Sequence, residues 1–417
     1  MKIRFVLSFF PMLAVALPAL AQPLPTARPE SVGLSSERLN LIGPAIETEI
    51  EHGRMPGAVI AIARNGKLAY YEAFGYLDKE RGIRMPRDAI FSIWSMTKPV
   101  AVVAALQLFE TGALMVNEPM ATYIPELGNR RVAINGDPGN TVAATRQPTV
   151  RDLMRHTSGY KYGGESSPLD ELLPAPSPLS ASLTRDELLD TLSGLPLMHQ
   201  PGAVWDYGLS TDLVGIVIER VSGQSLGEYM EENIFTPLNM VDTGFTIPPD
   251  SLERQARVLL KDPVTGEPQV NADHAQVKFQ CAGGCLVSTA LDYLAFAQML
   301  LNRGSLDGTR ILGPKTVEFM TSDQADSGVD LSRLYGYPSL HDDGYGFGLS
   351  VAVRRGAGLG GTMGSAGEYH WFGAYGTAFW VDPTENLVMV FMAQTPGEIR
   401  RYNRQLIPAL VYQAITE

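Results

Sequence analysis

The stretch FSIWSMTKPVAVVAALQLFE, residues 91–110, sets Ser95 and Lys98 three residues apart at the head of an apolar run. Residues at i and i+3 share a helix face, so a hydroxyl and an amine at this spacing come within reach of each other. Pro99 fits only where a backbone N–H has no partner within the helix, which puts the helix start within a residue or two of Ser95. The free N–H groups of that first turn point toward the same face and can donate to a developing oxyanion. Two readings are open: Ser95 caps the helix beside a surface lysine, or the pair is a nucleophile and its base. A lysine acts as a base only as the neutral amine, a form favoured by burial or by a neighbouring positive charge. Capping accounts for Ser95 but not for a lysine beside PVAVVAALQLF, which reads as a buried central helix.

Other motifs compete for the nucleophile. Ser158 and Lys161 repeat the spacing, but Gly159, Gly163 and Gly164 mark a loop. Gly223-Gln224-Ser225-Leu226-Gly227 matches G-x-S-x-G, the strand-to-helix elbow of α/β-hydrolases. An elbow needs a strand before it, whereas STDLVGIVIERV reads as a helix ending at Gly223. Ser225 and Glu228 then make a capping box for the following helix. His156, in RHTSG, has no acid placed to orient it and reads as structural; His370 could touch substrate but reads better as a strand-face residue, and Arg354 and Arg355 could meet an acidic substrate group but read better as a solvated strand end. The six histidines show no H-x-x-H or H-E-x-x-H spacing, so no metal or other cofactor is implied.

These residues must be positioned by elements that the sequence also marks. SSERLNLIGPAIETEIEHG, from Ser35, reads as a capped helix. GAVIAIARNGKLAYYEAFGYLD reads as a hairpin turning at Asn65-Gly66. GTAFWVDPTENLVMVFMAQ repeats that logic around Asp382-Pro383, and a last helix spans about 403–417. Between them TVRDLMRHTSG, TRDELLDTLSG, STDLVGIVIERVSG and SLGEYMEENIF are short amphipathic helical segments, interrupted by the Pro/Ser-rich loop SSPLDELLPAPSPLSAS. The expected class is α+β: an antiparallel sheet assembled from both chain ends and flanked by helices, with an inserted, mainly helical domain. The expected boundaries are 22–110 with 275–417 for the discontinuous α/β domain and 111–274 for the helical one, with a cleft between them.

Net charge is −12 and no Lys/Arg run stands out, so nucleic-acid binding has no electrostatic footprint. Residues 1–21 read as a signal peptide: MKIR as basic head, FVLSFFPMLAVALP as apolar stretch, Ala19-Leu20-Ala21 as cleavage site. The mature protein is therefore expected in a periplasm or outside the cell, without stable membrane insertion. Cys281 and Cys285, in CAGGC, can pair in such a compartment, but backbone geometry decides. Two such ligands without a nearby histidine are too few for structural zinc. The sequence carries no signal for an oligomeric state.

SMTKPV, LMRHTSG, PGAVWDYGLSTDLVGIVIERVSG, CAGGCLVSTALDYLAFAQ and HWFGAYGTAFWVDP together resemble, in order and spacing, serine hydrolases of the class C β-lactamase and penicillin-binding-protein superfamily. The resemblance covers nearly all of the mature chain and implies the β-lactamase-like fold. It makes Ser95 the nucleophile, Lys98 its base and Tyr207 the tyrosine of a Y-x-N motif, with Leu209 where the asparagine usually stands. Where β-lactamases carry K-T-G, Trp371-Phe372-Gly373 looks like the W-x-G of family VIII carboxylesterases. Tryptophan offers apolar area and one weak donor instead of a cation, so the implied substrate is a small uncharged ester bound by Trp371, Phe372 and Gly373. The N–H groups of Ser95 and Ala374 are implied as the oxyanion hole. The implied activity is hydrolysis of short-chain carboxylic esters, with side activity on β-lactams open. A β-lactamase or D,D-peptidase, and a non-catalytic ligand-binding protein of the same fold, are the alternatives.

Overall fold

The computed structural model describes residues 24–416 apart from 164–166, 175–182, 273, 275–276, 326–327, 336–339 and 341. The expected signal peptide, 1–21, lies outside the described residues, as does most of the Pro/Ser-rich loop. Within the described part of that loop, Pro168–Leu172 forms a short helix capped by Ser167.

The Asn65-Gly66 turn sets the first hairpin, with both residues at positive φ (52° and 70°), the conformation a two-residue turn requires. It joins strands β1 (Gly57–Arg64) and β2 (Lys67–Asp78), and β3 (Ile83–Arg84) pairs with β2. The other chain end supplies β4 (Tyr345–Phe347), β5 (Ala352–Arg354), β6 (Tyr369–Phe372), β7 (Ala378–Asp382) and β8 (Leu387–Ala393). They form one antiparallel sheet in the order β4-β5-β6-β7-β8-β1-β2-β3. The two ends meet where β1 pairs β8, from Ala58 opposite Ala393 to Arg64 opposite Leu387. All eight residues of β1 are buried, which explains its unbroken apolar run: it is central and covered on both faces. At the β7–β8 turn the Asp382 carboxylate accepts from the N–H groups of Thr384 (3.0 Å) and Glu385 (3.2 Å), and Asn386 takes the positive φ.

Four helices carry the rest of the argument: α1 (Thr97–Glu110), α2 (Ser210–Ser222), α3 (Ala290–Leu301) and α4 (Ile399–Tyr412). Helix α1 is buried on every side from Thr97 to Leu106 and packs against α2. Helix α3 covers one sheet face, where Tyr293 meets Phe379 of β7 with ring centroids 5.1 Å apart. Helix α4 covers the other, its Arg404 guanidinium 4.3 Å from the Phe372 ring.

The architecture is the expected α+β arrangement, an antiparallel sheet assembled from both chain ends and flanked by helices, with local differences. The first helix is two, Ser36–Leu39 and Ile42–Glu51, with a break at Asn40 and Leu41. The last helix begins at Ile399, ahead of the expected start. The middle of the chain also holds a hairpin, Arg131–Ile134 with Asp137–Ala143, where helical texture is expected. Ser225 caps Leu226–Met230 with Glu228, and α2 ends at Gly223 with φ 74°, so G-x-S-x-G here is a helix–cap–helix junction and not an elbow. Among the described residues, no helix is long and apolar enough to cross a membrane.

Candidate active site

Ser95 sits in a single 310 turn, Trp94–Met96, that runs directly into α1. Trp94, just before it, takes a positive φ of 50° and packs its ring 4.4 Å from that of Tyr375. Of residues 91–100, Ser95 alone is not fully buried. Lys98, one turn on, is wholly buried.

The Lys98 Nζ donates to three acceptors: Gly283 O at 2.6 Å, Tyr162 OH at 3.1 Å and Ser95 Oγ at 3.3 Å. Three acceptors satisfy an ammonium. A neutral amine keeps two N–H bonds and a lone pair, and either hydroxyl can turn its proton toward that lone pair, whereas the Gly283 carbonyl only accepts. The surroundings of Lys98 thus accommodate both forms.

The Gly283 carbonyl is held from behind. Its own N–H donates to Asp212 Oδ1 at 2.8 Å, from a fully buried carboxyl in the first turn of α2. A Cβ on Gly283 would lie 2.4 Å from Asp212 Oδ2, so only glycine fits. Cys281 and Cys285 are joined in a disulfide that closes the loop around Gly283. Burial pushes the Asp212 carboxyl up to about 6, against the pull of the Lys98 charge and the Gly283 N–H.

Tyr207 lies across Lys98, whose Nζ is 4.6 Å from its ring centroid, and its hydroxyl accepts from Trp371 Nε1 at 3.3 Å. Its ring is wedged between Trp371 (5.3 Å) and His156 (4.6 Å). His156 is structural, as expected: it is buried at φ 58°, and neither ring nitrogen has a hydrogen-bond partner among the described residues. Burial first, and the Lys98 charge second, hold its imidazole well below the usual value, so it packs as a neutral ring. Leu209 is buried and offers the site nothing polar.

Tyr162 is the residue that sequence reasoning missed. It follows the second S-x-x-K, which is spent on structure: Ser158 Oγ lies 2.8 Å from Ser210 Oγ, and Lys161 pairs with Asp170 at 2.7 Å. That loop packs on the Tyr207-Gly208 turn so closely that a Cβ on Gly208 would meet the Lys161 Cα at 2.2 Å, bringing the two tyrosine rings to 6.0 Å. Burial holds the Tyr162 phenol well above its usual value and so protonated. No local spacing marks a tyrosine in a glycine-rich loop; only the tertiary contact does.

The third motif divides. Trp371 is fully buried and faces Tyr207 and Phe347, so it holds the tyrosine more than it lines open space. Phe372 departs from the expected substrate contact. Strand alternation turns it to the opposite sheet face, beside His370 and beneath Arg404. Gly373 meets backbone: a Cβ there would lie 2.5 Å from Ile93 O, two residues before Ser95. The Thr377 hydroxyl donates to the same Ile93 carbonyl at 3.2 Å. The Ala374 N–H reaches no acceptor among the described residues, and the Ser95 N–H, second in its 310 turn, has no carbonyl one turn back within that helix. Arg354 also departs from expectation. It is buried, its Nε donating to Glu368 at 2.9 Å, while Glu368 also meets His370 Nδ1 at 2.8 Å.

A serine against a buried lysine, with two tyrosines over that lysine and beside an antiparallel sheet, defines a serine hydrolase of the β-lactamase-like class. Residues 44–411 match the Beta-lactamase family model, and the chain belongs to that family. It is 34% identical over 378 residues to Protein Rv1367c of Mycobacterium tuberculosis, covering 85% of this chain and 90% of that one. It is 28% identical over 397 residues to Esterase EstB of Burkholderia gladioli, covering 90% and 94%. The solved structure of "EstCE1, a hydrolase with promiscuous acyltransferase activity" superposes with a TM-score of 0.71 at 25% identity, covering 92% of this chain and 98% of that one.

Proposed function

We propose that the protein is a carboxylesterase that forms an acyl-enzyme on Ser95. The observation that carries this reading is Lys98, held between Ser95 and two tyrosine rings, with tryptophan instead of a cation behind Tyr207. Ser95 Oγ passes its proton to neutral Lys98 and attacks the ester carbonyl carbon. The carbonyl oxygen takes up the negative charge and is held by the N–H groups of Ser95 and Ala374. As the intermediate collapses, the C–O bond to the alcohol breaks, and that oxygen takes a proton from Tyr207, which recovers one from Lys98. Water then repeats the sequence and releases the acid. Trp371, which offers no positive charge, supports a preference for uncharged acyl groups, and we infer short chains. The relationship to Esterase EstB supports the ester reading; the description of EstCE1 supports alcohols as competing acceptors. A periplasmic or secreted location and a cleft between the two expected domains belong to the same proposal.

The test is turnover of p-nitrophenyl butyrate beside nitrocefin, with Ser95→Ala as control. Fast ester hydrolysis lost in the variant is expected. Full activity in Ser95→Ala, or nitrocefin as the dominant substrate, overturns the reading. Faster turnover of long-chain than of butyryl esters overturns the short-chain part alone.

A further inference from the structure

Helix α4 reaches the third motif through two arginines one turn apart. Arg400 Nη1 donates to the Ala374 carbonyl, and Arg404 Nη2 donates to the Gly373 carbonyl at 3.0 Å. Arg404 is 5% exposed, its guanidinium lying 4.3 Å from the Phe372 ring. The buried guanidinium is spent on one particular backbone carbonyl.

The Gly373 C=O and the Ala374 N–H are the two ends of one planar amide. A charge-assisted bond at the oxygen draws electron density through the amide and makes its N–H a stronger donor. It also fixes the plane of that amide and hence the direction of its N–H. Arg400 acts on the next amide, whose N–H belongs to Tyr375, and so does not polarise the same donor.

We propose that Arg404 is a positioning residue for the reaction. From the far face of the sheet, it polarises and orients the Gly373–Ala374 amide, whose N–H holds the substrate oxyanion. This rests on the acyl-enzyme reading above, with Ala374 as an oxyanion donor. Arg404 touches no substrate, and its effect grows as the carbonyl oxygen gains charge. Ground-state binding is left nearly untouched.

The experiment compares wild type with Arg404→Met, Arg404→Lys and Arg400→Met on p-nitrophenyl butyrate, and with butylboronic acid as a tetrahedral, oxyanion-bearing adduct of Ser95. Removing an oxyanion donor outright costs about 10²–10³ in rate, and weakening one by loss of its polarising partner should cost about 10- to 100-fold. Arg404→Met should lower kcat by that factor with KM little changed, and should raise the boronate inhibition constant in parallel. Arg404→Lys, which keeps the charge and a single donor, should recover part of both. Arg400→Met should lose only a few-fold. The inference is overturned if Arg404→Met keeps full kcat, if boronate affinity stays constant while kcat falls, or if Arg400→Met and Arg404→Met lose equally, which marks a plain tether. Thermal melting of each variant checks the fold, and Arg404→Lys decides if Arg404→Met does not fold. Failure here leaves wild-type esterase activity and its loss in Ser95→Ala intact; failure of the underlying reading removes both.

Discussion

The shortest bond of the Lys98 amine is to the backbone carbonyl of Gly283, 2.6 Å away and 185 residues on in the chain. Ser95, its neighbour in sequence, is 3.3 Å away. The amine is therefore anchored by a carbonyl that cannot take part in proton transfer, and it turns its remaining valences to Ser95 and Tyr162, which can. An anchored, wholly buried amine stays on one line with its serine, as the proposed proton exchange requires.

On the proposed mechanism, neither a shape mimic nor a charge mimic should replace Lys98. Lys98→Met, similar in length but without nitrogen, should lower kcat/KM on p-nitrophenyl butyrate by about 10³-fold, within the 10²–10⁴ range of general-base loss. Lys98→Arg should lose as much, because a guanidinium stays protonated and its planar fork does not fit three converging acceptors. Steady-state kinetics on folded protein checks both, and activity retained in Lys98→Arg would remove Lys98 from the base role.

Asp212 carries a stability cost that depends on pH. Its carboxyl ionises at about 6 in the fold against 3.8 for the free group, burial being the main cause. Below the free value both states are protonated and the cost is nil. As pH rises from about 4 to about 6, the unfolded chain ionises this carboxyl while the fold keeps it protonated, so stability falls by up to about 3 kcal/mol, at ~1.36 per unit, and levels off once the folded group is itself charged. Asp212→Asn removes this term. Urea unfolding should show the variant gaining on wild type between about pH 4 and pH 7.5; a gap independent of pH refutes the assignment.

The disulfide ties the Gly283 loop rather than the whole fold. Cys281 and Cys285 are four residues apart, so loop-closure entropy gives only about 2 kcal/mol. The double variant Cys281→Ser/Cys285→Ser should unfold at slightly lower denaturant. Its kcat should fall by more than the small loss of folded protein explains, because the Gly283 carbonyl is freed to leave Lys98. Unfolding curves and kcat, both measured on the variant and on reduced wild type, separate the two effects. An unchanged kcat would mean that Asp212 alone holds the loop.

The two tyrosines should not be equivalent. Tyr207→Phe removes the proposed proton carrier to the leaving alcohol and should cost about 10²–10⁴ in kcat. Tyr162→Phe removes one of three acceptors of Lys98 and should cost about tenfold, the scale of one hydrogen bond to a charged group. Trp371→Phe keeps the aromatic area behind Tyr207 but loses the donor at 3.3 Å, and should cost a few-fold. A series on esters of increasingly acidic alcohols checks the assignment: only the Tyr207→Phe deficit should shrink as the leaving group stops needing a proton.

What was legible in the sequence was whatever depends on neighbours in the chain. Asn65-Gly66 fixed a hairpin because few residues accept two positive φ angles in succession. Ser95, Lys98 and Pro99 fixed the start of α1, and the apolar run after them its burial. Ser225 and Glu228 disclosed a cap rather than a nucleophile, because a capping box spans only three residues. The tertiary structure alone decided the rest. The packing of α4 on the sheet put Phe372 beneath Arg404, and a contact between loops delivered Tyr162 beside an expected Tyr207. The Gly283 carbonyl, the Asp212 carboxyl behind it and the Arg404 guanidinium are ordinary residues by type and spacing. Their roles arise from bonds to Lys98, Gly283 and Gly373 across 185, 71 and 31 residues, separations over which local pattern carries no information.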